Sequence, residues 1–129
     1  MNKILIIGGG SWGTSFANYL TRHYSKVKIW IREKEIIEAI RVKRENHVFL
    51  PEIRLSEKLE PVEDLKAEVS SADIVVFAVP SKFIRNIFSR VKCVVNDQLI
   101  INLSKGFESK SLKTISQSPT KRENDIFYI

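Results

Sequence analysis

The run Lys3-Ile4-Leu5-Ile6-Ile7 passes directly into Gly8-Gly9-Gly10-Ser11-Trp12-Gly13, and no other stretch narrows the choice of fold as far. An aliphatic run without polar alternation reads as a strand buried on both faces, as strands of a parallel sheet are. The glycines fit G-x-G-x-x-G, a pattern that carries weight only between a strand and a helix. Within it, Gly8 permits a tight turn off the strand, and Gly10 lets the backbone approach a pyrophosphate. Gly13 lets the next helix lie close on the sheet. A helix starting near Ser11 would aim its free N–H groups and the positive end of its dipole at that pyrophosphate.

The rest of the chain supplies the alternation of strands and helices that such a turn requires. Trp12, Phe16, Tyr19, Leu20 and Tyr24 recur at helical spacing, which predicts a helix over 11–24 with these residues as its apolar stripe. Residues 27–31 alternate as a strand, and 34–43 place Ile36, Ile37 and Ile40 on one helical face. Residues 44–51 break the pattern and read as a loop. A short strand is expected over 58–62 and a short helix over 63–70, with Leu65 and Val69 inward. Residues 73–79 read as a second fully buried strand ended by Pro80. Ser81 can cap the next helix, whose stripe is Phe83, Ile84, Ile87, Phe88 and Val91. Residues 98–103 form the next strand and deliver Ser104-Lys105-Gly106 to the sheet edge that carries the glycine turn and Pro80. In open α/β sheets ligands bind beyond the carboxyl ends of the strands, so these three segments converge by topology. A helix over 109–116, a polar loop over 117–124 and a strand over 125–129 complete the expectation. A terminal apolar strand without a return helix suggests a piece of something longer.

The position after the second strand is informative. In dinucleotide folds an acidic residue about 20 positions beyond the glycines holds the ribose 2′-hydroxyl, whereas an arginine accommodates a 2′-phosphate. Here Arg32 is followed by Glu33. Arg32 tilts the reading towards NADP, and its planar guanidinium could also stack on adenine. Glu33 keeps NAD open.

Composition sets the outer limits. At 129 residues the chain fits one domain. No apolar run approaches the roughly 20 residues needed to cross a bilayer, and no signal peptide precedes the glycines, so membrane insertion is not expected and a cytoplasmic location is the default. Cys93 is the only cysteine, which precludes an internal disulfide; beside Val91, Val94 and Val95 it reads as a small buried hydrophobe. His23 and His47 lack partners at ligand spacing, so no metal site is expected. The net charge of +6 is scattered rather than gathered on one helix face, which argues against nucleic acid and suits a phosphorylated small molecule.

Five segments then occur in a telling order: Gly8-x-Gly10-Ser11-Trp12-Gly13-Thr14; Trp30-Ile31-Arg32; Arg44-Glu45-Asn46 with Phe49-Leu50-Pro51; Ala72-Asp73 with Ala78-Val79-Pro80-Ser81; and Ser104-Lys105-Gly106-Phe107-Glu108. Along nearly its whole length the chain resembles the cofactor domain of NAD(P)-dependent glycerol-3-phosphate dehydrogenase. The resemblance implies a Rossmann-type, doubly wound α/β fold, with a mostly parallel sheet and helices on both faces. It implies that residues 1–129 are the NAD(P)-binding domain, and that the helical substrate domain with its second lysine lies beyond this chain. The implied cofactor contacts are Gly8, Gly10, Ser11, Trp12, Gly13, Arg32, Phe83 and Lys105, with Phe83 flanking the nicotinamide. Lys105 is also the candidate substrate contact. The implied reaction is hydride transfer between nicotinamide C4 and C2 of glycerol 3-phosphate or dihydroxyacetone phosphate, for which the isolated chain is expected to be inactive. Two rivals stay open: a non-catalytic dinucleotide-sensing module, and the cofactor domain of another two-domain reductase. The sequence also leaves a homo-oligomer open.

Overall fold

A computed structural model of the chain describes residues 2–103 and 126–128. Its strands are β1 (Ile4–Ile7), β2 (Val27–Trp30), β3 (Leu59–Val62), β4 (Ile74–Phe77), β5 (Leu99–Asn102) and β6 (Ile126–Tyr128). They form one sheet in the order β3-β2-β1-β4-β5-β6, and every pairing is parallel. The order reverses between β1 and β4, whose residues pair in register from Ile4 with Ile74 to Ile7 with Phe77. This is the doubly wound topology expected from the sequence. The segment 104–125, with Lys105 and the helix expected over 109–116, lies outside the described residues.

Side chains alternate along a strand, so β1 feeds two cores at once. Leu5 and Ile7 enter one, and Ile4 and Ile6 the other. Helices α1 (Ser11–Leu20) and α2 (Lys34–Lys43) cover the Ile4/Ile6 face, where Ala17, Ile36, Ile37 and Ile40 meet Val27, Ile29 and Ile31. Helices α3 (Leu65–Ser71) and α4 (Ser81–Val91) cover the opposite face with Leu65, Val69, Ile84, Ile87, Phe88 and Val91. Phe77 of β4 meets Phe88 of α4 edge-on at 4.3 Å between centroids, a geometry favoured by the aromatic quadrupole.

Four expectations are corrected. Helix α1 ends at Leu20, and turns closed by Thr21 N–H to Asn18 O (3.2 Å) and His23 N–H to Leu20 O (3.0 Å) take the chain on. Its apolar stripe faces the core only in part: Phe16 and Leu20 pack against it, but Trp12 and Tyr19 are 60% and 51% exposed, and the fully buried positions are Gly13, Thr14 and Ala17. Ser81 is not the cap of α4; it is the first helical residue, and Pro80 holds the cap position. Cys93 is exposed, because α4 stops at Val91 and the turn that follows buries Val95 instead. A side-chain cap does start α3, where Asp64 accepts from Ala67 N–H at 3.1 Å.

Strand β3 forms one margin of the sheet. Pro61 sits within it opposite Ile29, and the Nη2 of Arg41 donates to its carbonyl at 3.5 Å.

Candidate functional site

The reversal in strand order leaves a crevice beyond the carboxyl ends of β1 and β4, and the glycine turn occupies it. Gly8 adopts φ +132°, and its N–H donates to Trp30 O at 3.0 Å. A Cβ at Gly8 would stand 2.4 Å from the carbonyl oxygen of Ala78, so both conformation and space require glycine. At Gly13 a Cβ would lie 2.4 Å from the carbonyl oxygen of Gly8, which is how closely α1 presses on the turn. Gly10 is different. A Cβ there meets nothing within 4 Å, so its face is open space beside the start of α1.

A cleft runs from this open face between the ends of β2 and α4. Gly8, Gly9 and Gly10 form one wall, Ala78, Val79 and Pro80 another, and Phe83, Asn86, Ile87 and Arg90 of α4 the third. Arg32 and Glu33 close it from the end of β2, with Phe49 at the rim. The guanidinium of Arg32 stands over the ring of Phe83 at 4.6 Å, and the Lys82 ammonium approaches the same ring at 5.2 Å. Glu33 Oε1 lies 4.0 Å from Arg32 Nε, a loose and largely solvated pair. On the far side Arg90 stands over Trp30 at 5.5 Å, and the indole N–H of Trp30 donates to Glu63 O at 2.9 Å, fixing that wall.

Of the residues singled out from sequence, Gly8, Gly10, Arg32 and Phe83 meet in this cleft. Phe83 stands beside Arg32 in the cleft, under the Arg32 guanidinium. Gly13 supports the turn from beneath. Ser11 and Trp12 are exposed on α1 outside the cleft lining, with Trp12 leaning on Phe16 at 6.1 Å between centroids. Lys105 lies outside the described residues.

Sequence reasoning gave no site role to two groups, although it named Ile87 as core and quoted Asn46 within a family segment. Asn86, Ile87 and Arg90 follow Phe83 at three, four and seven positions, so helical periodicity alone places them on its face. Asn46 could not be found that way. It comes from the loop after α2 and is wholly buried. Its Nδ2 donates to Gly9 O at 2.8 Å and to Thr14 Oγ1 at 2.9 Å, while its Oδ1 accepts from Phe49 N–H at 3.1 Å. Thr14 Oγ1 also donates to Gly9 O at 3.3 Å. The loop starts at Arg44, in the left-handed conformation that ends α2, whose guanidinium donates to the carbonyls of Ser56 and Leu59. Among the described residues no cluster of His, Cys, Asp or Glu is arranged to hold a metal.

The arrangement suits an extended anion with a planar group at one end. The helix start and open Gly10 face favour the anion, and the cations and the Phe83 ring favour the planar group. A family described as the NAD-dependent glycerol-3-phosphate dehydrogenase N-terminus matches residues 3–124. A glycerol-3-phosphate dehydrogenase [NAD(P)+] of Pseudomonas syringae is 39% identical over 114 residues, 88% of this chain and 33% of that protein. The corresponding protein of Solidesulfovibrio magneticus is 40% identical over 116 residues, 89% of this chain and 35% of its own length. The chain thus spans about a third of these relatives. Among solved structures, a glycerol-3-phosphate dehydrogenase from Coxiella burnetii superposes with a TM-score of 0.82 at 27% identity, covering 91% of this chain and 38% of that one. The enzyme from Saccharomyces cerevisiae gives a TM-score of 0.80 at 30% identity, with coverage of 90% and 38%.

Proposed function

From the premise that this chain belongs to the NAD-dependent glycerol-3-phosphate dehydrogenase N-terminal family, we propose that it is the cofactor-binding part of an oxidoreductase. The enzyme interconverts glycerol 3-phosphate and dihydroxyacetone phosphate with NADP or NAD, in the cytoplasm. The observation that carries this reading is the open face of Gly10 at the strand reversal, facing a cleft that Arg32 and Phe83 close.

The residues present fit a dinucleotide. The free N–H groups at the start of α1 would hold its pyrophosphate, helped by the helix dipole. Arg32 would take a ribose 2′-phosphate or stack on the adenine, and Phe83 would give that end an apolar wall that excludes water. Glu33 competes for the same ribose, since a carboxylate accepts from the 2′-hydroxyl and repels a 2′-phosphate. Arg32 is the more exposed of the pair and holds its guanidinium at the cleft over Phe83, which favours NADP slightly. When bound, the dinucleotide supplies the hydride chemistry. Lys105 would lie where cofactor and phosphorylated substrate meet, and the remaining catalytic groups would come from a helical substrate domain outside this chain.

Titration calorimetry with NADPH and NADH tests the reading. Binding of both, tighter for NADPH, is expected; tighter NADH would remove the role given to Arg32. Gly10→Val should abolish binding of either, because a branched side chain fills the pyrophosphate position. Its melting temperature should hold, since nothing stands within 4 Å of the added Cβ. No binding by the unaltered chain would end the proposal.

A further inference from the structure

Asn46 is buried and does not line the cleft, yet its hydrogen bonds end on two segments that do. A trans peptide is planar, so the C=O of one residue and the N–H of the next point in opposite directions. No peptide bond among the described residues is cis. Asn46 Nδ2 and Thr14 Oγ1 both donate to the Gly9 carbonyl, drawing it towards the loop after α2. The N–H of Gly10 thereby points the opposite way within the Gly9–Gly10 plane, away from that loop. Gly10 is the residue that precedes the first turn of α1, with φ −71° and ψ 179°. Three consecutive glycines would otherwise sample many orientations, and each would cost affinity when frozen by a ligand.

We propose that Asn46 is a positioning residue that presets the Gly9–Gly10 peptide, so that the Gly10 N–H is presented to a phosphate before any ligand arrives. Thr14 is its partner in this. The proposal rests on the dinucleotide reading of the cleft. The same side chain accepts from Phe49 N–H, so the rim of the cleft and its phosphate-facing turn share one anchor. An asparagine suits the position because its amide donates twice and accepts once within a single plane. An aspartate would place a carboxylate against the Gly9 carbonyl oxygen.

ADP and adenosine separate a positioning role from mere support of the loop, since both carry the base and ribose but only ADP carries phosphates. Their affinities for the purified chain are measured by NMR titration. In Asn46→Ala, ADP binding should weaken about tenfold, the order expected when a buried hydrogen-bond partner is lost. Adenosine affinity should stay within about twofold of the unaltered chain, because its contacts lie on the Arg32 side. Thr14→Val should reproduce a smaller part of the ADP-selective loss, and Thr14→Ser, which keeps the hydroxyl, should match the unaltered chain. Equal losses for both ligands, or unchanged ADP affinity in a folded Asn46→Ala chain, would overturn the proposal. If Asn46→Ala fails to fold, Thr14→Val carries the same comparison, and an unselective effect there overturns it too. If the unaltered chain binds neither ligand, the dinucleotide reading itself falls and takes this proposal with it.

Discussion

Helices α1 and α4 both lie against the same sheet, yet they bury opposite kinds of side chain. α1 presents Gly13, Thr14 and Ala17 inward and leaves Trp12 and Tyr19 outside. α4 presents Ile84, Ile87, Phe88 and Val91 inward. The difference follows from what each helix has to approach. α1 starts at the glycine turn and must come within contact of its backbone, so only small residues fit beneath its first turn, and Phe16 and Leu20 pack at the side. α4 starts one strand away, at Pro80, and stands off the sheet on bulky side chains that fill the gap. A helix serving a phosphate-facing turn gives up apolar burial for closeness, and the opposite face of the sheet holds the larger share of core.

The contrast can be broken most severely on the α4 side. Phe88→Ala removes the ring that packs edge-on against Phe77 and leaves a cavity, so a loss of about 3–5 kcal/mol is expected in urea unfolding. Tyr19→Ala, on the outer face of α1, should cost less than about 1 kcal/mol. Similar costs for the two would mean that the helices do not divide the work as described. A smaller effect, with an informative sign, comes from Gly13→Ala. Helix propensity alone predicts a gain of about 1 kcal/mol. The added Cβ, however, would sit 2.4 Å from the Gly8 carbonyl oxygen, a backbone atom that cannot easily yield. A net loss of about 1–3 kcal/mol is expected, and a gain in melting temperature would show that α1 has slack against the turn.

The smallest effect concerns charge on the α3–α4 face. Lys28 Nζ donates to Glu68 Oε2 at 2.9 Å, and this hydrogen bond raises its pKa above 10.5, with partial burial opposing and the charges of Glu68 and Glu60 adding. A folded-state pKa above the unfolded one stabilises fully below the unfolded value and is lost as pH rises through the folded value. The contribution is therefore intact at neutral pH and disappears in alkali above 10.5. For a pair open to solvent in part it should amount to less than about 1 kcal/mol. Lys28→Met should flatten that part of the stability profile between pH 10 and 12 (about the span in which lysines titrate). An unchanged alkaline slope would show that the pair contributes nothing.

The same contrast explains what could be read from the sequence. Apolar periodicity located α4 and its buried face, because a helix that stands off the sheet must bury large side chains at helical spacing. It also located α1, but counted the outward Trp12 and Tyr19 with Phe16 and Leu20 as one core stripe: aromatic spacing looks like a buried face unless closeness to the turn is known beforehand. Phe83 entered through the family resemblance, and the nearness of Gly8, Gly10 and Arg32 followed from the glycine motif and the alternation of elements. Asn46 did not, since its partners lie 37 and 32 positions away and nothing local marks the pairing. Cys93 misled for a related reason. Valine neighbours imply burial only while a helix or strand keeps its phase, and the phase is lost in the turn after Val91.

The margin of the sheet at β3 has a consequence for how such molecules behave when crowded together. An unpaired strand edge is a template on which another chain can assemble, and repetition of that event gives fibres. Here Pro61 contributes no N–H, and Arg41 Nη2 approaches its carbonyl at 3.5 Å, so a visiting strand finds no donor and a contested acceptor at that point. A ladder begun there would be interrupted within two residues. In a concentrated solution, this side of the molecule is a surface that disfavours such growth.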